Sequence, residues 1–172
     1  MEVVRVSKLL SEICHFAGGR IAIEDVDLSN YISTENMLPN RGGITLSAKL
    51  PTAKNIQEYK RGDVLVSNIR PYFKKIWYAE KTGGCSNDVL VLRANEGIEP
   101  QYLYYVLSND TFFDYTMVTS KGTKMPRGDK LAIMKYEVPN MKNDEQSKIV
   151  EILSALDNRI EANKRINHHL VA

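Results

Sequence analysis

Small polar residues and cations alternate between Ser67 and Lys75, and side chains of these types bind DNA. Arginine can donate two hydrogen bonds to guanine O6 and N7, asparagine can pair in the same way with adenine, and lysine and serine commonly bind phosphates. The alternative is a solvated basic turn without a ligand, in which the aromatic residue packs within the turn. The candidate contacts in this segment are Ser67, Asn68, Arg70, Tyr72, Lys74 and Lys75.

A second segment of the same character lies between Ser120 and Arg127. Gly122 lacks a Cβ, so backbone amides beside it can approach a phosphate closely. A solvated basic loop is again the alternative. The candidate contacts here are Lys121, Thr123, Lys124 and Arg127, and we expect the arginines and Asn68 to lie nearer to base edges and the lysines nearer to phosphates.

Catalytic signatures are scarce in this sequence. Glu58-Tyr59-Lys60 resembles the end of a metal-dependent nuclease motif, but no Pro-Asp pair precedes it. Cys14 and Cys85 stand alone, without a second cysteine or a histidine at ligand spacing, so we expect two reduced thiols and no metal site. The sequence therefore predicts a protein that is not an enzyme and holds no cofactor. A small nuclease that uses Glu58 and Lys60 is the weaker alternative.

Charge is segregated along the 172 residues, although the net charge is only +2. Residues 40–75 hold eight basic and two acidic side chains, and residues 115–136 hold five basic and one acidic. Two basic blocks favour a surface that faces a polyanion, although surface charges that balance in space remain the alternative. No apolar run is long enough to cross a bilayer and no secretory signal opens the sequence, so we expect no membrane contact and a cytoplasmic location.

The pattern of apolar residues predicts a mixed α/β domain. Strands are expected at 64–69, 73–79, 88–92 and 136–139, and the strand at 88–92, apolar on both faces, is expected in the centre of a sheet. Helices are expected at 7–16, from Pro100 to Phe113, and as a short turn at 129–134. Residues 44–61 show little periodicity and are expected to form mostly loop.

From Asp144 onward the sequence predicts one long helix with a narrow apolar seam and no core of its own to pack against. Asn143 and Gln146 are spaced as a capping box, so we place the domain boundary between residues 1–142 and 143–172. The alternating spacing of four and three residues is typical of a coiled coil, which needs a partner helix. The seam, predicted to be a dimer interface, is Ile149, Leu153, Leu156, Ile160, Asn163, Asn167 and Leu170.

Four motifs occur in order along the chain: GDVLVSNIRP at 62–71, SNDVLVLR at 86–93, PQYLYY at 100–105 and EQSKIVEILSALD at 145–157. Together they resemble the specificity subunit of type I restriction-modification systems. The resemblance is to one target-recognition domain with the helix that follows it, and it covers nearly the whole chain. The lysine-rich loop at 121–124 falls where this family has a loop before the last strand.

The resemblance implies a non-catalytic subunit that recognises one half of a split target in double-stranded DNA. It implies that DNA methyltransferase (modification) subunits bind this frame and bring S-adenosylmethionine, and that a restriction and motor subunit can join them. A full family member carries two recognition domains and two helices, whereas this chain carries one of each and ends at Ala172. We therefore expect a half-subunit, natural or truncated, that forms an antiparallel homodimer. The alternative is an inhibitor whose helix pairs with another specificity subunit.

Overall fold

The computed structural model describes residues 6–171, with the side chains of residues 6–167. Within this range the α-helices are α1 (Leu10–Ile13), α2 (Pro100–Leu107), α3 (Asp110–Val118), α4 (Lys130–Ile133) and α5 (Asn143–Val171). The strands are β1 (Ser7–Leu9), β2 (Cys14–Phe16), β3 (Arg20–Ala22), β4 (Tyr31–Ile32), β5 (Asn55–Tyr59), β6 (Val64–Ser67), β7 (Ile76–Tyr78), β8 (Gly83–Cys85), β9 (Val89–Ala94) and β10 (Glu137–Pro139). The mixed α/β class is confirmed. Among the described helices, none is both long and apolar enough to span a membrane.

An antiparallel sheet in the order β2-β9-β6-β7 forms the centre of the fold. β6 is buried along its whole length, and so are the first four residues of β9, because both faces of the sheet are covered. Val64 and Val66 face a core that includes Leu103 of α2 and Phe113 of α3, whereas Leu65 faces the second sheet. The central position predicted for residues 88–92 is therefore confirmed.

The second sheet, in the order β3-β5-β8-β4, includes two strands that the sequence did not predict. β8 contains Gly83 and Gly84. A Cβ at Gly83 would collide with the backbone oxygen of Asn30, and a Cβ at Gly84 would collide with the side chain of Ile56. Glycine is therefore needed for close packing. Because glycine has no side chain, the sequence of β8 lacks the apolar alternation that would predict a strand. β5 lies inside residues 44–61, so the prediction of mostly loop was wrong for residues 55–59.

Two helix predictions required correction. Residues 7–16 form strands β1 and β2 around the single turn α1, because the flanking residues pair with β10 and β9. The helix expected from Pro100 to Phe113 is divided in two at Asn109, whose side chain accepts a hydrogen bond from the Thr111 backbone N–H at 3.1 Å and caps α3. Pro100 does occupy the start of α2, as predicted.

The start of α5 also differs from its prediction. The Glu145 carboxylate, and not Gln146, accepts the reaching-back hydrogen bond, from the Lys142 N–H at 2.7 Å. Gln146 is buried, and its Oε1 accepts from the Glu99 N–H at 3.0 Å. Val150 is buried as well, so the first two turns pack on the globular domain and the expectation of no core contact was wrong there.

Beyond those turns α5 leaves the domain. The Tyr105 hydroxyl donates to Asp157 at 2.8 Å, and after this contact the side chains of residues 158–167 are exposed. Leu156 and Ile160 are half exposed, and Ile149 and Leu153 are partly buried. The seam as a dimer interface and the coiled coil therefore stay predictions. The Leu170 side chain lies outside the described residues.

An ion pair between a buried aspartate and a partly exposed arginine supports the central sheet. Asp63, 2% exposed, accepts two hydrogen bonds from Arg93 at 2.7 Å each and one from the Lys60 backbone N–H at 2.7 Å. Because this carboxylate is paired on both oxygens, it avoids the cost of an isolated buried charge. The pair connects the start of β6 to β9.

We expect Asp63→Ala to lower the free energy of unfolding by about 3 kcal/mol, because Arg93 loses its counter-ion and Lys60 its acceptor. Urea denaturation monitored by circular dichroism measures this change. Asp114→Ala, on the exposed side of α3, is the matched control and should change stability by less than about 0.5 kcal/mol. Equal stabilities of the two variants would contradict this role for the ion pair.

Candidate nucleic-acid interface

The two predicted basic segments lie against each other in the structure. The Arg70 N–H donates to the Pro126 carbonyl at 2.8 Å, and the Gly128 N–H donates to the Asn68 carbonyl at 3.2 Å. The second segment closes on itself, because Lys121 and Arg127 exchange two backbone hydrogen bonds of 2.9 Å. Segments separated by about fifty residues in sequence therefore form one surface.

A third segment, Pro39–Gly43, joins this surface and was not among the predicted contacts. The Asn40 N–H donates to the Phe73 carbonyl at 2.8 Å, and the Arg41 N–H donates to the Lys74 carbonyl at 2.9 Å. Its composition is typical of a turn or a flexible loop. We name the combined surface of residues 39–43, 68–75 and 120–128 the basic face.

The predicted residues differ in their accessibility on the basic face. Ser67 is buried, and its hydroxyl donates to the Ile69 carbonyl at 3.0 Å. It therefore stabilises the backbone that follows β6 and does not face solvent. The Asn68 amide oxygen is also buried and has no hydrogen-bond partner among the described residues. The two-bond contact with adenine that the sequence suggested for Asn68 requires this oxygen, and its burial argues against that contact. The exposed members are Arg70, Tyr72, Lys121, Thr123, Lys124 and Arg127.

Carboxylates lie beside several of the cations. Lys121 pairs with Asp129 at 2.6 Å, Arg127 pairs with Asp88 at 2.8 Å, and Lys74 pairs with Asp110 at 2.8 Å. The pairs of Lys121 and Arg127 add little stability because both cations are exposed, so these two can exchange their partners for phosphates at small cost. A further cation, Lys75, donates to the Thr34 carbonyl at 2.6 Å and is partly buried.

Arg70 and Lys124 differ from these paired cations. Within the described part of the chain, neither side chain makes a hydrogen bond or an ion pair, and both are exposed. Arg70 precedes a short 3₁₀ turn at Pro71–Phe73, where Tyr72 is 47% exposed. These two cations therefore meet an incoming polyanion without first breaking a contact.

The neighbouring cations determine the charge of Asp110. Hydrogen bonds from Lys74 and then from Arg41 lower the pKa of the Asp110 carboxyl to about 2. Asp110 therefore stays ionised throughout the neutral range. A hydrogen bond from Lys121, with further ones from the first turn of α4, likewise lowers the pKa of Asp129.

Glu58 and Lys60 are the residues of the nuclease alternative. The carboxylate of Glu58 and the ammonium of Lys60 lie 3.9 Å apart, and among the described residues no three acidic, histidine or cysteine side chains are grouped as metal ligands. Burial raises the pKa of Cys14 and of Cys85 to about 12, so neither thiol is a nucleophile at neutral pH.

Comparison with known proteins adds a family match to this geometry. Residues 5–171 match the family described as Type I restriction modification DNA specificity domain. The chain is 26% identical over 170 residues to the Type I restriction enzyme MjaIX specificity subunit of Methanocaldococcus jannaschii, covering 98% of this chain and 38% of the relative. It is 30% identical over 116 residues to the EcoDI specificity subunit of Escherichia coli, covering 66% and 25%. The chain thus spans less than half the length of these relatives.

Solved structures show the same fold. The crystal structure of the HsdS subunit from Thermoanaerobacter tengcongensis aligns with a TM-score of 0.70 at 24% identity, over 93% of this chain and 44% of the other. The S subunit from M. genitalium aligns with a TM-score of 0.64 at 15% identity, over 91% and 40%. The domain and its following helix therefore form an arrangement found elsewhere.

Gly128 is the tightest point of the joint between the two basic segments, because a Cβ there would lie 2.7 Å from the Asn68 amide oxygen and 2.9 Å from Ile133. We expect Gly128→Ala to lower the free energy of unfolding by about 2 kcal/mol through this overlap. Chemical denaturation measures the effect, and adding Asn68→Ala should restore part of it. Gly18→Ala is the control, because a Cβ there meets nothing within 4 Å. An equal loss of unfolding free energy in both variants would contradict the close contact between Gly128 and Asn68.

Proposed function

Because the chain belongs to the family of type I restriction-modification DNA specificity domains, we propose that it is a non-catalytic DNA sequence-recognition subunit that recognises one half of a bipartite target. The family prediction made from the four sequence motifs is confirmed. The observation that carries the DNA-binding proposal is the basic face, where backbone hydrogen bonds join three segments and two exposed cations remain unpaired.

The basic face offers two kinds of contact to a DNA duplex. Lys121 and Lys124 are exposed on a loop and suit the phosphate backbone, which supplies affinity and orientation. Arg70 is exposed and suits a base edge in the major groove, and Tyr72 beside it offers an exposed ring. Thr123 and Arg127 extend the surface. Backbone hydrogen bonds hold the loops that carry these donors, so less backbone entropy is lost when DNA binds.

We assign α5 to spacing and dimerisation. Gln146, Val150 and Asp157 lie on the side of α5 that faces the domain, and a different side carries exposed apolar residues. At a rise of about 1.5 Å per residue the helix is about 43 Å long. An antiparallel pair of such helices would cover the stripe and hold two recognition domains apart. Among the described side chains of α5, the exposed large apolar residues that form this stripe are Ile152, Leu156, Ile160 and Ile166.

The remaining roles belong to partners in this proposal. DNA methyltransferase (modification) subunits would bind the dimer and supply S-adenosylmethionine, and a restriction and motor subunit could join the complex. The chain itself would contribute recognition and geometry. The assembled complex would act on DNA in the cytoplasm.

The first test reverses the two unpaired cations. Arg70→Glu with Lys124→Glu should weaken binding to a duplex selected from a random pool by the wild-type chain by about 100-fold, because two contacts to DNA become repulsive. Fluorescence anisotropy measures the affinity. The same charge change in Lys60→Glu with Arg61→Glu, before the opposite end of β6, should leave affinity nearly unchanged. Equal affinities of both double variants would remove these residues from the interface.

The second test addresses the helix. We expect the wild-type chain at tens of micromolar to have the mass of two 19.5 kDa chains by light scattering, and Ile160→Asp to have the mass of one. A buried carboxylate in the apolar stripe would lack a partner. Asn158→Asp, which lies on the other side of α5, should stay dimeric. A monomeric wild-type chain that instead binds an intact specificity subunit would favour the inhibitor alternative.

A further inference from the structure

Left-handed backbone conformation is concentrated on the basic face. Among the described residues, the non-glycine positions with positive φ are Asn40 at 53°, Arg41 at 60°, Arg70 at 50° and Lys74 at 51°. This conformation is strained for a residue with a Cβ, and glycine adopts it freely. Strain of this kind persists where the side chain itself is needed, and it is concentrated at functional sites. Three of the four side chains here are cations.

The two strained loops support each other. Asn40 and Arg41 donate their backbone N–H groups to the carbonyls of Phe73 and Lys74, so consecutive left-handed residues of one loop meet the loop that holds Arg70 and Lys74. The Pro39–Gly43 segment is therefore fixed against the two segments already assigned to DNA binding. Its position makes it part of the same interface.

The Arg41 guanidinium is held from three directions. Its Nε donates to the Ser108 carbonyl at 2.5 Å, one terminal nitrogen donates to the Asp110 carboxylate, and the group lies over the Phe113 ring at 5.6 Å from the centroid. A guanidinium has five N–H donors, so three remain for a ligand. The side chain is 30% exposed, which leaves an accessible edge whose orientation is already determined.

Asp110 weakens the attraction of this edge for a phosphate. It pairs with both Lys74 and Arg41, so these two cations share one net positive charge, whereas among the described residues Arg70 and Lys124 each carry a full unpaired charge. The O6 and N7 atoms of guanine accept the same pair of hydrogen bonds without a full charge. The carboxylate therefore favours a base edge over a phosphate, and it keeps the planar donor group in one orientation.

We propose that Pro39–Gly43 is a third DNA-recognition segment, in which Arg41, oriented by Asp110, contacts a guanine in the major groove and the exposed Asn40 contacts the neighbouring base. This inference rests on the proposed function and assigns it a specificity-determining residue. A purely structural role for Arg41, in which it only ties the loop to the turn between α2 and α3, is the competing explanation.

The test selects binding sites from a pool of random duplex DNA with the wild-type chain, Arg41→Lys and the control Arg61→Lys. Lysine keeps the charge but loses the planar pair of donors. We expect the wild-type chain and Arg61→Lys to enrich the same motif. Arg41→Lys should lose about tenfold of the preference for guanine at one position, while its affinity for unselected DNA is unchanged.

Each outcome decides between the proposals. No enriched motif for the wild-type chain would overturn the proposed function, whereas an enriched motif that is unchanged in Arg41→Lys would overturn only this inference. Asn40→Gly covers the case in which Arg41→Lys fails to fold, because glycine relieves the strain at φ 53°. Its melting temperature should rise or stay equal while its preference at the neighbouring base weakens. A destabilised Asn40→Gly with an unchanged motif would favour the structural role.

Discussion

The antiparallel pairing of β6 with β9 is the constraint on which the rest of this molecule depends. Val64 to Ser67 pair with Val89 to Leu92 in a sheet that is covered on both faces, so the end of β6 has a fixed position. The chain leaves that end as the loop that holds Arg70, and the Asn68 N–H donates to the Asp88 carbonyl at 2.8 Å just before β9 begins. The interface is therefore an extension of the core.

The sequence predicted the elements whose signals are local. The apolar runs of β6 and β9 and the proline at the start of α2 each identify their element without help from distant residues. The elements that it missed are set by tertiary contacts. β8 is a strand because Gly83 and Gly84 allow β5 to approach closely. The local sequence contains no pattern that predicts this pairing. The helix predicted at residues 7–16 is interrupted because sheet partners compete for the same backbone.

In the candidate site, too, residues recognised by their type were predicted, and residues positioned by tertiary contacts were missed. Residue type was sufficient to select Arg70 and Lys124, which are exposed and unpaired within the described chain. It could not find Arg41, whose guanidinium is held by a carbonyl and a carboxylate nearly seventy residues away. It also could not foresee that the Asn68 amide oxygen is buried under Gly128, because this depends on how two loops meet.

Backbone hydrogen bonds join the three segments of the basic face, so the arrangement of these segments depends little on which side chains they carry. The donors at Asn40, Arg70 and Gly128 are amides that nearly every residue possesses, so substitutions around them leave the scaffold intact as long as glycine stays at 128. Exposed side chains can be substituted while the backbone arrangement is kept. The side chains displayed in these surface loops can therefore be replaced without redesign of the interior.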